Sequence, residues 1–125
     1  MIHLKTPEEI DVIARGGAII ADFLAEVPSR IDPGVSTLEI DAFADDFIRS
    51  HEGATPAFKG LYGFAGSVCI SLNEEVVHGI PRADRILTDG DVISIDVGVK
   101  LDGWCSDSAW TFPVGVVDEP SQHLL

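Results

Sequence analysis

Basic residues are scarce in this sequence. Eight lysine and arginine residues stand against 21 aspartate and glutamate residues, which gives a formal net charge of −13. No segment gathers the basic residues, so the negative charge argues against binding to a phosphate backbone. The acidic balance instead fits a cation, a cationic peptide terminus or a soluble surface as its partner.

Cysteines and long apolar runs are also few. The two cysteines, Cys69 and Cys105, cannot form the dense disulfide framework of a small secreted domain, which favours a reducing compartment. The first residues lack the apolar core of a signal peptide, and no stretch reaches the roughly 18 apolar residues of a membrane span. We therefore expect a cytoplasmic protein without membrane contact.

Two amphipathic helices are predicted in the N-terminal part of the 125 residues. Thr6-Pro7-Glu8-Glu9 is a capping box, and it predicts a helix that ends before Pro28. Its expected buried stripe consists of Ile10, Ile13, Gly17, Ile20 and Leu24. A second capping box at Ser36 to Glu39 predicts a helix to about Ser50. This helix should bury Ile40, Phe43 and Phe47 and expose Asp41, Asp45 and Asp46.

The rest of the sequence predicts strands and loops. A glycine-rich loop over residues 53–66 carries several aromatic residues, and residues 68–72 form a short strand. The strongest β signal covers residues 92–99, and Asp102-Gly103 forms the turn to a returning strand over residues 104–112. A capped helix start at Pro120 is followed by only five more residues, which indicates a truncated chain.

Asp96 and Asp107 fall on the two strands of this predicted hairpin. Because side chains alternate along a strand, Ser94, Asp96 and Gly98 share one face. A turn centred on residues 101–102 pairs Asp96 directly with Asp107, whereas a turn centred on Asp102-Gly103 makes them diagonal neighbours. Both aspartates share one face in either register.

Two facing carboxylates repel each other unless a metal ion, a proton or an arginine neutralises them. Paired carboxylates on rigid strands suit a divalent ion, while a shared proton is a second chemical interpretation. The structural alternative is an edge-strand Asp96 with a solvated Asp107. His78, which follows two valines, is by itself either a structural or a catalytic residue.

The segments around these residues resemble type I methionine aminopeptidase. The resemblance rests on Ser67 to Pro81, which contains the motif His78-Gly79-Ile80-Pro81, and on Asp89 to Gly98 and Asp102 to Gly115; it extends from Leu4 to the end. It implies an α+β fold of the pita-bread type. Residues 1–125 would form the N-terminal half, a curved antiparallel sheet with two N-terminal helices packed on it.

The resemblance also implies a role for each site residue. Asp96 would chelate one of two divalent metal ions (Co, Mn, Fe or Zn), and Asp107 would bridge the pair. His78 would bind the substrate backbone and stabilise the transition state. The walls of the methionine side-chain pocket would be Phe58, Leu61, Phe64 and Cys69. Leu61 stands where some relatives carry tyrosine.

The expected function is removal of the initiator methionine from nascent proteins, whose N-termini would be the partners, with association with the ribosome as an open question. In relatives, one histidine and two glutamates complete the ligand set from the second half. We therefore expect residues 1–125 to be inactive alone and to need a partner half or a second copy. The alternatives are a pita-bread peptidase directed at Xaa-Pro, and a non-catalytic module that binds peptide N-termini.

Overall fold

A four-stranded antiparallel sheet with two long helices packed on it forms the protein, as described for residues 2–125 by a computed structural model. The elements in chain order are α1 (Pro7–Glu26), a 3-10 helix (Val27–Arg30), α2 (Thr37–Arg49), β1 (Ala54–Pro56), a second 3-10 helix (Leu61–Gly63), β2 (Val68–Leu72), β3 (Val92–Leu101), β4 (Trp104–Pro113) and α3 (Glu119–Leu124). None of the helices in this range is both long and apolar enough to cross a membrane.

Both predicted capping boxes start their helices. The Thr6 amide donates to the Glu9 carboxylate at 2.8 Å, and the Ser36 amide donates to the Glu39 carboxylate at 2.8 Å. The reciprocal bonds from the Glu9 and Glu39 amides to the two capping hydroxyls are also present. The helix boundaries therefore lie within two residues of the predicted ones.

Of the predicted buried stripe of α1, only Ile20 is fully buried: Ile10 is 54% exposed, and Ile13, Gly17 and Leu24 are half-buried. The buried residues of this helix are Gly16, Ile19, Ile20 and Phe23. At about 100° per residue, Ile10 lies roughly 120° around the helix from Gly16, where the sheet makes its closest approach. The helix is rotated relative to the prediction.

Asp41 of α2 was predicted to face solvent, and this was wrong. Its side chain is buried, and Oδ1 accepts hydrogen bonds from the amides of Ser67 at 2.7 Å and Val68 at 3.0 Å. Burial raises the pKa of Asp41, and the two amide bonds act in the opposite direction. The carboxylate satisfies backbone donors at the start of β2 that would otherwise be buried without a partner.

Strand β3 is the centre of the sheet. β4 pairs with it along its whole length, while β2 and β1 pair with consecutive parts of its other edge. The short β1 lies inside the segment that was predicted to be a loop. The alternate residues Ile93, Ile95, Val97 and Val99 are fully buried in the core. The intervening residues of β3 are therefore left for the opposite face, which carries the site.

The turn between β3 and β4 decides the hairpin register. Asp102 and Gly103 have φ angles of 48° and 87°, the left-handed conformations of a two-residue hairpin turn. Leu101 pairs with Trp104, so Asp96 lies opposite Ala109 and Asp107 lies opposite Gly98. Direct pairing of the two aspartates was therefore wrong, and the diagonal arrangement is the observed one.

Candidate metal centre and substrate pocket

Asp96 and Asp107 project from the same face of the β3–β4 hairpin as diagonal neighbours. Asp96 is half-buried and Asp107 is exposed. Burial and the nearby Asp107 carboxylate together raise the pKa of Asp96 to about 6, although His78 acts in the opposite direction. The hairpin thus holds a carboxylate whose ionised form is only partly compensated by the described residues.

His78 reaches the same face from the segment after β2. Its φ angle of 61° lies in the left-handed region, which is uncommon for a residue with a side chain. The next residue, Gly79, is fixed to β2, because its amide donates to Ser71 Oγ at 3.1 Å and its carbonyl accepts from the Ile70 amide at 2.9 Å. A Cβ atom on Gly79 would overlap the Ile70 carbonyl, so glycine permits this close approach.

One cavity of about 600 Å³ joins these residues to the predicted pocket walls. It is lined by all seven site residues that the sequence predicts: Phe58, Leu61, Phe64, Cys69, His78, Asp96 and Asp107. Tyr62, Gly63 and Ile80 complete the lining. The roles of the seven residues remain predictions, but their convergence from separate parts of the chain is a property of the structure.

Phe58 packs directly beside the carboxylates because β3 carries a glycine there. A Cβ atom on Gly98 would lie 2.5 Å from Phe58 Cε1, so the ring occupies the space that another side chain would fill. Gly98 is two residues from Asp96 and pairs with Asp107. The apolar wall of the cavity is therefore in van der Waals contact with the strand that carries the polar site.

Cys69 faces the cavity from β2, where it pairs with Asp96. Burial raises the pKa of its thiol to about 11, and the charges of Asp96, Asp107 and Asp41 contribute in the same direction. The thiol is therefore neutral at physiological pH. In this state the residue forms a polarizable apolar wall of the cavity.

The two carboxylates fit part of a metal site. Asp96 Oδ1 is buried and has no hydrogen-bond partner among the described residues, although buried carboxylate oxygens are normally satisfied. A divalent cation would compensate both this oxygen and the repulsion from Asp107. Within residues 2–125, however, no three histidine, cysteine, aspartate or glutamate side chains are grouped closely enough to hold an ion.

Two polar contacts near the site were missed by the sequence analysis. Ser71, which supports Gly79, gave no signal beyond its place in a predicted strand. The hydroxyls of Ser94 and Thr111 lie 2.8 Å apart across β3 and β4, beside Asp96. Strand alternation predicts that Ser94 shares a face with Asp96, but the pairing with Thr111 depends on the register set by the turn.

The fold and the paired carboxylates define a class of metal-dependent peptidase. Residues 11–125 match metallopeptidase family M24, and the chain belongs to this family. The chain is 50% identical over 125 residues to methionine aminopeptidase 1 of Bacillus subtilis, and it covers 100% of its own length and 50% of that protein. Divalent metal ions are implied by the family.

Solved structures share the architecture. The crystal structure of methionine aminopeptidase from Rickettsia prowazekii matches with a TM-score of 0.94 and 35% identity over 99% of this chain and 49% of that chain. Xaa-Pro dipeptidase from Bacillus anthracis matches with a TM-score of 0.82 and 23% identity over 96% of this chain and 32% of that chain, which shows the pita-bread fold alone. The chain spans about half the length of the curated relatives it matches.

Proposed function

We propose that this chain is the N-terminal half of a methionine aminopeptidase that removes the initiator methionine from nascent proteins in the cytoplasm. The observation that carries the proposal is the single cavity in which an apolar pocket adjoins two carboxylates, one of which has a buried oxygen with no hydrogen-bond partner among residues 2–125. The 50% identity to the Bacillus subtilis enzyme supports methionine as the residue removed.

The residues of this chain bind and orient the substrate. Phe58, Leu61, Phe64 and Cys69 surround a thioether side chain with apolar and polarizable groups. His78, positioned by the contacts between Gly79 and β2, donates a hydrogen bond to the peptide backbone. The substrate is thereby held with its first peptide bond beside the hairpin carboxylates.

Asp96 and Asp107 would hold two divalent ions, for which manganese, cobalt, iron and zinc are the candidates. Asp96 would chelate one ion, and Asp107 would bridge the pair. When bound, the ions supply a nucleophilic water at neutral pH and polarise the scissile carbonyl. Two carboxylates are too few ligands for two ions, so we propose that further ligands come from a complementary half.

The complementary half would cover the open side of the sheet and the edge of β4 that pairs with no described strand. A cavity of about 390 Å³ on this side is lined by the exposed residues Val76, Val77 and Leu124, together with His78 and Asp96, and it extends to Trp110 on the edge strand β4. A second copy of the chain is the alternative occupant. Light scattering at rising protein concentration distinguishes a complementary half from a second copy. A chain that stays monomeric at every concentration does not use a second copy of itself to cover the sheet.

The test joins the chain to the half of the Bacillus subtilis enzyme that it does not cover; we call this the fused protein. With manganese or cobalt, the fused protein should release methionine from Met-Ala-Ser, and the chain alone should not. Chelation should abolish the reaction. The same fusion with Asp107→Asn is the matched control for background peptidase activity.

Two other outcomes of this test would favour an alternative function. Faster cleavage of Xaa-Pro peptides than of Met-Ala-Ser would replace the methionine assignment with a proline-directed one. Peptide binding that persists after chelation, without turnover under any metal, would favour a non-catalytic module. We further propose nascent peptide N-termini as the partners. Co-sedimentation of the fused protein with ribosomes tests whether it binds these N-termini at the ribosome.

A further inference from the structure

Three of the four predicted pocket walls lie on one loop with little regular structure. Residues 58–66, here called the pocket loop, include Phe58, Leu61 and Phe64. Within the loop, the Gly60 amide donates to the Phe64 carbonyl at 2.8 Å, and the Leu61 amide donates to the Phe58 carbonyl at 2.9 Å. These bonds shape the loop internally, but they do not fix its distance from the strands that carry Cys69 and Asp96.

Asp45 of α2 connects both ends of the pocket loop to the helix. Its Oδ1 accepts hydrogen bonds from Ser67 Oγ at 2.7 Å and from Lys59 Nζ at 3.0 Å. Lys59 follows Phe58, and Ser67 follows the last residue of the loop. Arg49 Nε, one turn along α2, donates to Oδ2 at 2.9 Å and so holds the carboxylate in this orientation.

The Asp45 carboxylate is partly sheltered from solvent. Ser67 is fully buried and the Asp45 side chain is 20% exposed, whereas the side chains of Lys59 and Arg49 are 45% and 48% exposed. Although partial burial acts to raise it, the hydrogen bonds from Ser67, Arg49 and Lys59 lower the pKa of Asp45 to about 2. The carboxylate is therefore charged over the whole neutral range, and its hydrogen bonds are of the stronger, charge-assisted type.

The neighbouring Asp41 binds backbone amides and not side chains. It binds the backbone amides of Ser67 and Val68 and thereby fixes the start of β2. Asp45 binds side chains only, and one of them, Lys59, belongs to the pocket loop itself. The two carboxylates on successive turns of α2 thus share Ser67 as a partner, and Asp45 additionally binds the pocket loop through Lys59.

We propose that Asp45 is a positioning residue for the pocket: by binding Lys59 and Ser67 it sets the distance between the pocket loop and β2, and with it the width of the cavity. The identification of this cavity as a methionine pocket rests on the proposed function. The effect of Asp45 on the loop does not, because it follows from contacts within residues 45–67.

The two cysteines supply a direct measurement. Cys69 is buried in the cavity wall beneath the pocket loop, whereas Cys105 is exposed and serves as an internal reference. The rate of alkylation of each thiol by iodoacetamide is followed by mass spectrometry in the native chain. Hydrogen exchange of residues 58–66 is recorded in parallel, with β3 as the reference for global stability.

Asp45→Ala should raise the Cys69 rate relative to Cys105 about tenfold, because the loss of two charge-assisted bonds frees the loop. Exchange of residues 58–66 should rise similarly while that of β3 stays within about twofold. Asp46→Ala is the matched control, since Asp46 is the adjacent, exposed aspartate of the same helix. Asp45→Asn keeps an acceptor for Ser67 and should give an intermediate rate.

Equal rates of Cys69 alkylation in Asp45→Ala and Asp46→Ala would overturn the proposal. Hydrogen exchange that rises as much in β3 as in the pocket loop would also overturn it. If Asp45→Ala does not fold, Lys59→Met and Ser67→Ala each remove one contact from the other side. If neither variant changed the Cys69 alkylation rate or the exchange of residues 58–66, the proposal would also be overturned. Since none of these measurements needs turnover, a failure to cleave methionine peptides would refute the proposed function and leave this result intact.

Discussion

At the scale of single residues, Asp96 favours metal binding but destabilises the fold when no metal ion is bound. Its Oδ1 has no hydrogen-bond partner within the described part of the chain, and its pKa is raised; both follow from its position between a buried strand and a second carboxylate. Ionisation there costs free energy unless a cation is bound. The residue is therefore unfavourable for the metal-free fold and favourable for the metal-loaded one.

Asp96→Asn should stabilise the metal-free chain at about pH 8 by on the order of 1 kcal/mol, allowing for its partial exposure. The folded-state pKa of Asp96 is raised from 3.8 to about 6, so its contribution to stability is present below about pH 4 and is lost as the pH rises through about 6. Urea unfolding in EDTA at about pH 4 and at about pH 8 measures the difference in free energy of unfolding between wild type and Asp96→Asn. Exposed Asp46→Asn should show no such pH-dependent gain, and an equal gain there would contradict the prediction.

Asp107→Asn should lower the manganese affinity of the fused protein at least about tenfold and abolish turnover, since a charged ligand of both ions is lost. Cys105→Ser should change neither, because Cys105 is exposed and does not line the cavity. Calorimetric titration with manganese measures the affinity. Binding of wild-type strength by Asp107→Asn would contradict a bridging role.

Single residues also show what the sequence alone could predict. Strand alternation placed both aspartates on one face, because the two candidate two-residue turns give registers that differ by two residues, and such a shift leaves every side chain on the same face. Their diagonal arrangement depended on which residues form the turn, and Asp102-Gly103 accepts the left-handed φ angles that this requires. The burial of Asp41 could not be predicted, because it depends on amides in a distant segment.

At the scale of elements, α1 and β4 approach each other closely at Gly16. Ser106 of β4 donates a hydrogen bond to the Ile13 carbonyl at 2.6 Å, and a Cβ atom on Gly16 would lie 2.6 Å from Ser106 Oγ. Ser106 points into this contact, so the adjacent Asp107 points to the other face of the sheet. Hydrophobic periodicity did not predict this rotation of α1, because a glycine provides no signal for burial.

Gly16→Ala should destabilise the chain by about 1–3 kcal/mol, because the added methyl group displaces Ser106. Gly17→Ala should stabilise it by about 0.5–1 kcal/mol, since nothing lies within 4 Å of its Cβ position and alanine favours a helix. Equilibrium unfolding in urea measures both. Similar effects of the two substitutions would contradict the close approach.

At the scale of the whole molecule, one side of the sheet is left open. Val76 is 86% exposed in the cavity of about 390 Å³ on this side. Trp110, which by strand alternation shares the helix-packed face with Ser106, is 58% exposed on the edge strand β4. The family resemblance predicted that a partner half is needed, because only two predicted ligands occur in this sequence. The composition could not have shown which apolar residues are left uncovered, since that follows from the strand order.

Binding of the complementary half should shift Trp110 fluorescence to shorter wavelength and protect it from iodide. A Trp104→Phe chain isolates this signal, because the sequence contains two tryptophans. The matched Trp110→Phe chain retains Trp104, which lies beside Lys5 and outside the cavity of about 390 Å³, and should change little. Unchanged Trp110 emission in an active mixture would contradict the proposed covering of the β4 edge.

Both carboxylates belong to one hairpin with a two-residue turn, and this has a consequence for the folding pathway. Such hairpins form on a scale of about 1–10 μs without long-range contacts. Electrostatic repulsion therefore opposes zippering of β3 and β4 as soon as they meet, and a cation that binds the closed hairpin favours it by mass action. The closed hairpin should consequently be more stable with divalent ions than in EDTA, and the difference should grow once a complementary half supplies further ligands.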